Sequence, residues 1–300
     1  MRSFHQRYSA VSSRRSAFRI GRGVFLPVIV LLLALCSLSA QTNEDWMEGI
    51  GEDSYDGEIG LLAGYGFHTL SGDLDASLLS GDSSLSSACG TFQDGSGQGI
   101  SLGVTLGYHF LRRFRLEIGL GYADYSGTMR FRCIDPAEVR MPDGSLTPAL
   151  TDHVLTIDRQ VILSGLDFWY RPVRRLPIDA GIGIAAGLDL TDEFTLQEEI
   201  VEPISAEFVA GGQRREYGTG SMATDGTSGL STALMVALSG ELPAGETLLL
   251  RPQIRYYHSI GDPSINGSFR EHSLRLGLQV TKQIILFPPD ASTPLEPGEQ

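Results

Sequence analysis

Ten ionisable residues, Glu58, Arg115, Glu117, Asp167, Asp179, Asp189, Glu241, Arg251, Arg255 and Arg275, fall in segments where alternate residues share a face, and all ten sit on the polar face. Arg115 and Glu117 are two apart, so their side chains point to the same side of a strand. Opposite charges gathered on the inside of a narrow enclosure pair with one another. Taking one partner from such a pair costs more than taking both, because the survivor is left as an uncompensated buried charge. His68 and His109 share that polar face with nearby acids. A metal site there would need their strands to align, and hydrogen bonding is the expected role.

Catalytic constellations are not evident. His258 and Ser259 are adjacent, and neighbours on a strand face opposite sides. The histidine therefore cannot activate the hydroxyl without a bulge, and no oriented acid accompanies them. The pair is faintly similar to the His-x-Ser arrangement of lipid A deacylases, which would imply an outer-leaflet lipid enzyme. Asn266-Gly267-Ser268 matches a glycosylation acceptor but reads as a loop turn. No phosphate-cradling glycine loop, CxxC cluster or nucleophile elbow is present. The expectation is a protein that is not an enzyme, with no cofactor and no metal.

The elements that carry these residues are strands. Ile100, Leu102, Val104, Leu106, Tyr108 and Phe110 alternate with Ser101, Gly103, Thr105, Gly107 and His109, a period of two that excludes helix. The same alternation predicts strands over Glu58–Leu70, Gly99–Phe110, Phe114–Ala123, Ile157–Tyr170, Ile178–Leu190 and Leu230–Leu242, then from Leu248 through Tyr256 and from Leu274 to Thr281. The segments Ser71–Gln98, Ser126–His153, Asp192–Ser228 and Ser259–Glu271 read as long loops. The third of these is acidic and then Gly-rich, and is compatible with a hairpin or a local helix.

Ahead of the strands, residues 1–40 contain six arginines and no acid, an apolar run from Val24 to Leu35, and small residues before Gln41. This is the make-up of a cleavable secretion signal, and the run is short of the roughly 20 residues a membrane helix needs. Its removal takes the net charge from −13 to −19, which makes nucleic acid an unexpected partner. The excess acid falls largely in the loops and reads as a solvated rim. Cys36 leaves with the signal. Cys89 and Cys133 remain, one in each of the first two long loops, an even pair in an exported chain and an expected disulfide. The organisation read from sequence is signal peptide 1–40, periplasmic lead-in 41–57, barrel 58–287 and disordered tail 288–300.

Three connections are about three to six residues long and the other four about thirteen or more, in strict alternation. Short turns on one rim, long loops on the other and an even strand number belong to outer-membrane barrels. A soluble barrel would turn its apolar face inward around a ligand. Here the opposite face holds Gly, Ser, Thr, Gln and charge, as a lumen would. Tyr65, Phe67, Tyr108, Phe110, Phe114, Tyr122, Phe168, Tyr170 and Tyr256 lie near strand ends, where interfacial girdles sit.

The signal, the eight alternating strands and the Arg/Glu lumen together resemble the small outer-membrane β-barrel family, the OmpA and OmpX type. The Gly-rich strands and the stretch Leu250-Arg251-Pro252-Gln253-Ile254-Arg255-Tyr256 look most like porin-family barrels of Bacteroidota-like bacteria. The expected fold is an all-β, eight-stranded antiparallel up-and-down transmembrane barrel with short periplasmic turns and long extracellular loops. A barrel of that size is filled by its own side chains, and open pores need about 16 strands. The expected role is therefore to anchor surface loops for adhesion, envelope integrity or interaction with an extracellular ligand or envelope protein. The chain would sit as a monomer in outer-membrane lipid. The alternative is a small channel for ions or solutes.

Overall fold

Alternating residues put one face of each segment against lipid-like surroundings and the other against the barrel interior, and the strands run farther than the clean alternation marks. The computed structural model describes residues 56–75, 91–111, 113–133, 137–173, 176–221, 230–260 and 269–286. The expected signal peptide, nearly all of the lead-in, the C-terminal tail and Cys89 lie outside these residues. Among the described residues there are thirteen strands: β1 (Gly57–Asp75), β2 (Thr91–Leu111), β3 (Phe114–Asp124), β4 (Gly127–Arg132), β5 (Ala137–Arg140), β6 (Leu146–Tyr170), β7 (Ile178–Glu202), β8 (Glu207–Phe208), β9 (Arg214–Ser221), β10 (Leu230–Gly240), β11 (Leu242–Pro243), β12 (Leu248–Ser259) and β13 (Phe269–Ile284).

Eight of them close a ring. Antiparallel pairings run β1–β2, β2–β3, β3–β6, β6–β7, β7–β10, β10–β12, β12–β13 and back to β1. Register is set by the alternation, since a slip of one residue would turn every apolar side chain of a strand into the lumen. Pairs such as Leu61 with Val104 and Val280, or Ile118 with Leu106 and Leu166, keep large apolar residues side by side on the outside. That outer surface is unlike the surface of a soluble protein. Leu61 is 64% exposed, Ile182 62% and Leu120 54%, within a continuous belt of exposed Leu, Ile and Val. A belt of this extent is favourable only against hydrocarbon. On β2 it runs from Ile100 to Phe110, ten steps of about 3.3 Å each; a tilt of about 40° turns this into a height of about 25 Å, the apolar band of a transmembrane barrel.

Aromatic rings border the belt. At the short-turn end Phe114 lies 5.9 Å from Phe110, 5.5 Å from Phe168 and 5.0 Å from Tyr170, centroid to centroid. At the other end Tyr65 and Phe67 meet edge to face at 5.4 Å, and Tyr256 lies near the stacked rings of His258 and His272.

Beyond the belt the structure departs from the expected loops. Residues 71–75 and 91–98 continue β1 and β2. Much of 126–153 is β4, β5 and the first part of β6, and much of 192–228 is the rest of β7 with β8 and β9. The segment left open between hairpin and helix is a hairpin, β7 against β9. These strands prolong the barrel wall at its long-connection end, since β4 bridges β2 and β6 there and β6 pairs with β7 as far as Glu202. The prolonged section has its own apolar core. Leu70, Leu74, Phe92, Met129, Leu155, Ile157, Phe194, Leu196 and Phe269 pack together from β1, β2, β4, β6, β7 and β13, so the core crosses the lumen from wall to wall. A smaller cluster of Val139, Ala149, Ala206 and Phe208 joins β5, β6 and β8 at the tip. Burial of these side chains, about 1.5–3 kcal/mol each, is what turns Ser- and Gly-rich sequence into sheet.

Candidate functional site: a charge-lined lumen

Nine of the ten ionisable residues singled out from the sequence are joined by ion pairs inside the barrel, and the pairs form layers. At the short-turn rim Arg171, which follows β6, bonds Asp179 at 2.8 Å and also Glu241. Glu241 reaches Arg251 at 3.4 Å, and Arg251 donates to Glu58 at 2.6 Å. Glu58 also takes Arg115 at 3.1 Å and His109 Nε2 at 3.1 Å. Room for the Glu58 carboxylate comes from Gly107, where an added Cβ would lie 2.5 Å from Glu58 Cγ.

The next layer ties opposite walls together. Arg255 on β12 donates to Glu117 on β3 at 2.8 Å and to Asp167 on β6 at 2.9 Å. The expected Arg115–Glu117 pair is present at a longer 3.8 Å. Gln279 on β13 adds hydrogen bonds to Glu117 at 3.0 Å and to Thr105 at 2.6 Å. Trp169, only 1% exposed, packs beside both arginines, with the Arg115 guanidinium 5.0 Å and the Arg255 guanidinium 5.5 Å from its ring. A cation over an indole face gains about 2 kcal/mol when desolvated. Gly181 on β7 accommodates that indole, since a Cβ there would fall 2.7 Å from the ring.

Higher in the lumen Arg159 on β6 bonds Asp189 at 2.9 Å and Glu271 on the far wall at 2.7 Å. His68 Nδ1 lies 3.0 Å from Ser273 Oγ, so the two histidines have hydrogen-bonding partners on different layers. Among the described residues no three His, Cys, Asp or Glu converge as a metal site.

Arg275 corrects the expectation of a wholly paired network. Among the described residues no carboxylate lies within 4 Å of it; its guanidinium instead sits 4.4 Å from the Tyr125 ring and 5.2 Å from the Tyr257 ring. The physical reason is position, because the carboxylates above it are held by Arg159 and those below it by Arg255 and Arg115. Arg159, Arg171, Glu271, Trp169, Tyr125 and Tyr257 were not singled out from the sequence. Counting on in twos from Asp167 reaches Trp169 one way and Arg159 the other, and counting back from Arg275 reaches Glu271, so the period held farther than it was followed.

His258 and Ser259 do not form a catalytic pair. His258 faces the outside, its ring stacked at 4.7 Å on the His272 ring across the β12–β13 pair. Cys133 is buried and disulfide-bonded, with its N–H donating to the Thr151 carbonyl at 3.1 Å.

In the prolonged section, outside the apolar belt, a second polar cluster lies on the inner face. His153 stacks between Phe131 at 4.9 Å and Tyr217 at 5.7 Å. Glu198 accepts from Arg215 and from the Tyr217 hydroxyl, both at 2.6 Å. Burial alone would raise the Glu198 carboxyl, but the hydrogen bonds it accepts outweigh burial and hold it below the usual carboxylate range. Burial pushes the His153 ring below its ordinary value, against the pull of Glu198.

The chain matches no protein-family model and no curated protein. Among solved structures it is similar to Neisserial surface protein A, with 13% identity and a TM-score of 0.36 over 75% of this chain and 97% of that one. It is also similar to the outer membrane protein AlkL in lipid bilayers, with 12% identity and a TM-score of 0.35 over 79% and 93%. Ail, the attachment invasion locus protein of Yersinia pestis, in complex with the heparin analogue sucrose octasulfate, aligns with 12% identity and a TM-score of 0.32 over 75% and 99%.

Proposed function

We propose that this protein is a non-enzymatic barrel of the bacterial outer membrane, exported by a cleavable signal peptide, whose task is to hold a folded β-sheet extension above the membrane as a contact surface. The observation that carries this reading is the obstruction of the lumen at two levels. Cross-lumen ion pairs from Arg255 and Arg159 bind opposite walls, and above them an apolar core spans the prolonged section. A permeation path would have to break several buried charge pairs, each costly to separate, and then pass a dry core. The extension itself is well built for display. Its faces carry exposed charge pairs such as Arg130–Glu199 and Arg132–Asp152, and its tip exposes Ile204 and Val209. Its partner is an extracellular ligand or another envelope component, and the barrel acts as a monomer.

The test is expression with the native N-terminal segment, isolation of the outer membrane, and comparison of boiled with unboiled samples on a gel, followed by planar-bilayer recording. Heat-dependent migration with no resolvable single-channel conductance is the expected result. Steady conductance of the purified monomer would overturn the display reading in favour of a channel, and recovery of the protein in the soluble periplasm would overturn both.

A further inference from the structure

We propose that the middle of the lumen contains a binding site for a small monovalent anion of about the size of chloride, with Arg275 as its cationic ligand. Below the prolonged section, six arginines of the described residues face the lumen. Arg115, Arg159, Arg171, Arg251 and Arg255 each have a carboxylate within 4 Å, and Arg275 alone has none. Arg275 is 5% exposed, and its Nη2 is buried without a hydrogen-bond partner among the described residues. Its Nε reaches Ser273 Oγ at 3.3 Å. The two tyrosine rings beside it offset part of the cost of burying the charge, but they supply no acceptor for Nη2. A buried donor of a charged group that is left unsatisfied is costly, which is the condition that favours taking up an acceptor such as a small anion.

The space beside Arg275 suits one. A cavity of about 60 Å³ has Arg275, Arg255, Gln253, Tyr257 and Ser101 in its lining, together with glycines that include Gly119 and Gly165. A water-sized guest needs roughly 10–15 Å³ on this measure, so an ion of chloride size fits together with a few waters. The glycine wall leaves the room open, because a Cβ added at Gly119 or Gly165 would meet nothing closer than 3.8 Å and 3.7 Å respectively. Asp167 also borders the cavity, and its charge is met by Arg255 at 2.9 Å. The site therefore presents a guanidinium with an unsatisfied Nη2 and no carboxylate within 4 Å, polar hydrogens and a defined small volume. Enclosure as the barrel closes during folding would load it without a standing channel.

The test uses the mature protein refolded in detergent, with bromide as the probe. Urea unfolding is followed in sodium bromide and in sodium gluconate at equal ionic strength. A ligand bound only by the folded state stabilises with the logarithm of its concentration. The midpoint is expected to rise with bromide and not with gluconate, each tenfold step above the dissociation constant adding about 1.4 kcal/mol. Crystals grown in bromide are expected to show an anomalous peak in hydrogen-bonding range of Arg275 Nη2. Arg275→Gln should abolish both effects. Because that variant could fail to fold, the double variant Gly119→Ala/Gly165→Ala, which narrows the cavity and leaves Arg275 in place, should also lose the bromide dependence. Equal midpoints in bromide and gluconate for the wild type, a peak elsewhere in the lumen, or a bromide effect that survives in both variants would each overturn the proposal.

Discussion

Replacing Arg255 by methionine isolates the contribution of the central ion pairs. The guanidinium donates to Glu117 at 2.8 Å, Asp167 at 2.9 Å and Gln253 at 2.7 Å. Its loss leaves Glu117 with Gln279 and the longer contact to Arg115, and it leaves Asp167 with no ion pair among those described. Breaking a buried pair from one side costs about 3–5 kcal/mol, a large fraction of the 5–15 kcal/mol that holds a typical domain folded. The triple variant Arg255→Met/Glu117→Gln/Asp167→Asn removes the stranded charges as well, and should recover most of that loss despite carrying more changes. The assay is urea unfolding of protein refolded in phospholipid vesicles, followed by tryptophan fluorescence, in which Trp169 reports from within the network. The expected order of stability is wild type, then triple, then single variant, with the single and triple about 2 kcal/mol or more apart, in line with coupling between contacting residues. A single variant within about 1 kcal/mol of wild type, or a triple variant less stable than the single, would falsify the reasoning that these charges are dry and mutually dependent.

Gly181→Val should cost about 1–3 kcal/mol through overpacking, because the new side chain meets the Trp169 ring; the same fluorescence assay reads both the stability and the displaced indole. In the prolonged section, Glu198 ionises more readily when folded and His153 protonates less readily. The Glu198 contribution is complete above the ordinary carboxylate range and is lost as pH falls through its lowered value. The His153 contribution is complete above the ordinary imidazole value and is lost as pH falls through its own. Both therefore weaken the extension on acidification, and hydrogen exchange should show β7 and β9 opening at low pH while the belt strands stay protected. Glu198→Gln should cost that section about 1–3 kcal/mol and flatten the acidic limb of the exchange profile. Cys133→Ser, if Cys89 is the partner as the sequence suggests, should abolish a mobility shift between reduced and non-reduced gels and lower stability by about 2–4 kcal/mol.

The eight strands of the ring, their order, their inward and outward faces and nine of the charges that pair in the lumen were legible from the amino-acid sequence, because a lipid-facing wall permits only apolar residues at every second position and the polar and small residues between them face the lumen. Alternation of that strictness over Ile100–Phe110 or Ile178–Leu190 has a single structural meaning. Where the lipid ends the constraint ends with it. Residues 126–153 and 192–228 therefore lost their period and read as loops, although Met129, Phe194 and Leu196 turn inward to a shared core. Which charges meet was likewise beyond the sequence. Arg255 finds Glu117 and Asp167, and Arg159 finds Glu271, only because closure of the ring brings walls several strands apart within a side chain's reach. The same closure leaves Arg275 among tyrosines with no described carboxylate within 4 Å. Local periodicity determines which side chains enter the lumen, and only the barrel's circumference and register determine what each one touches there.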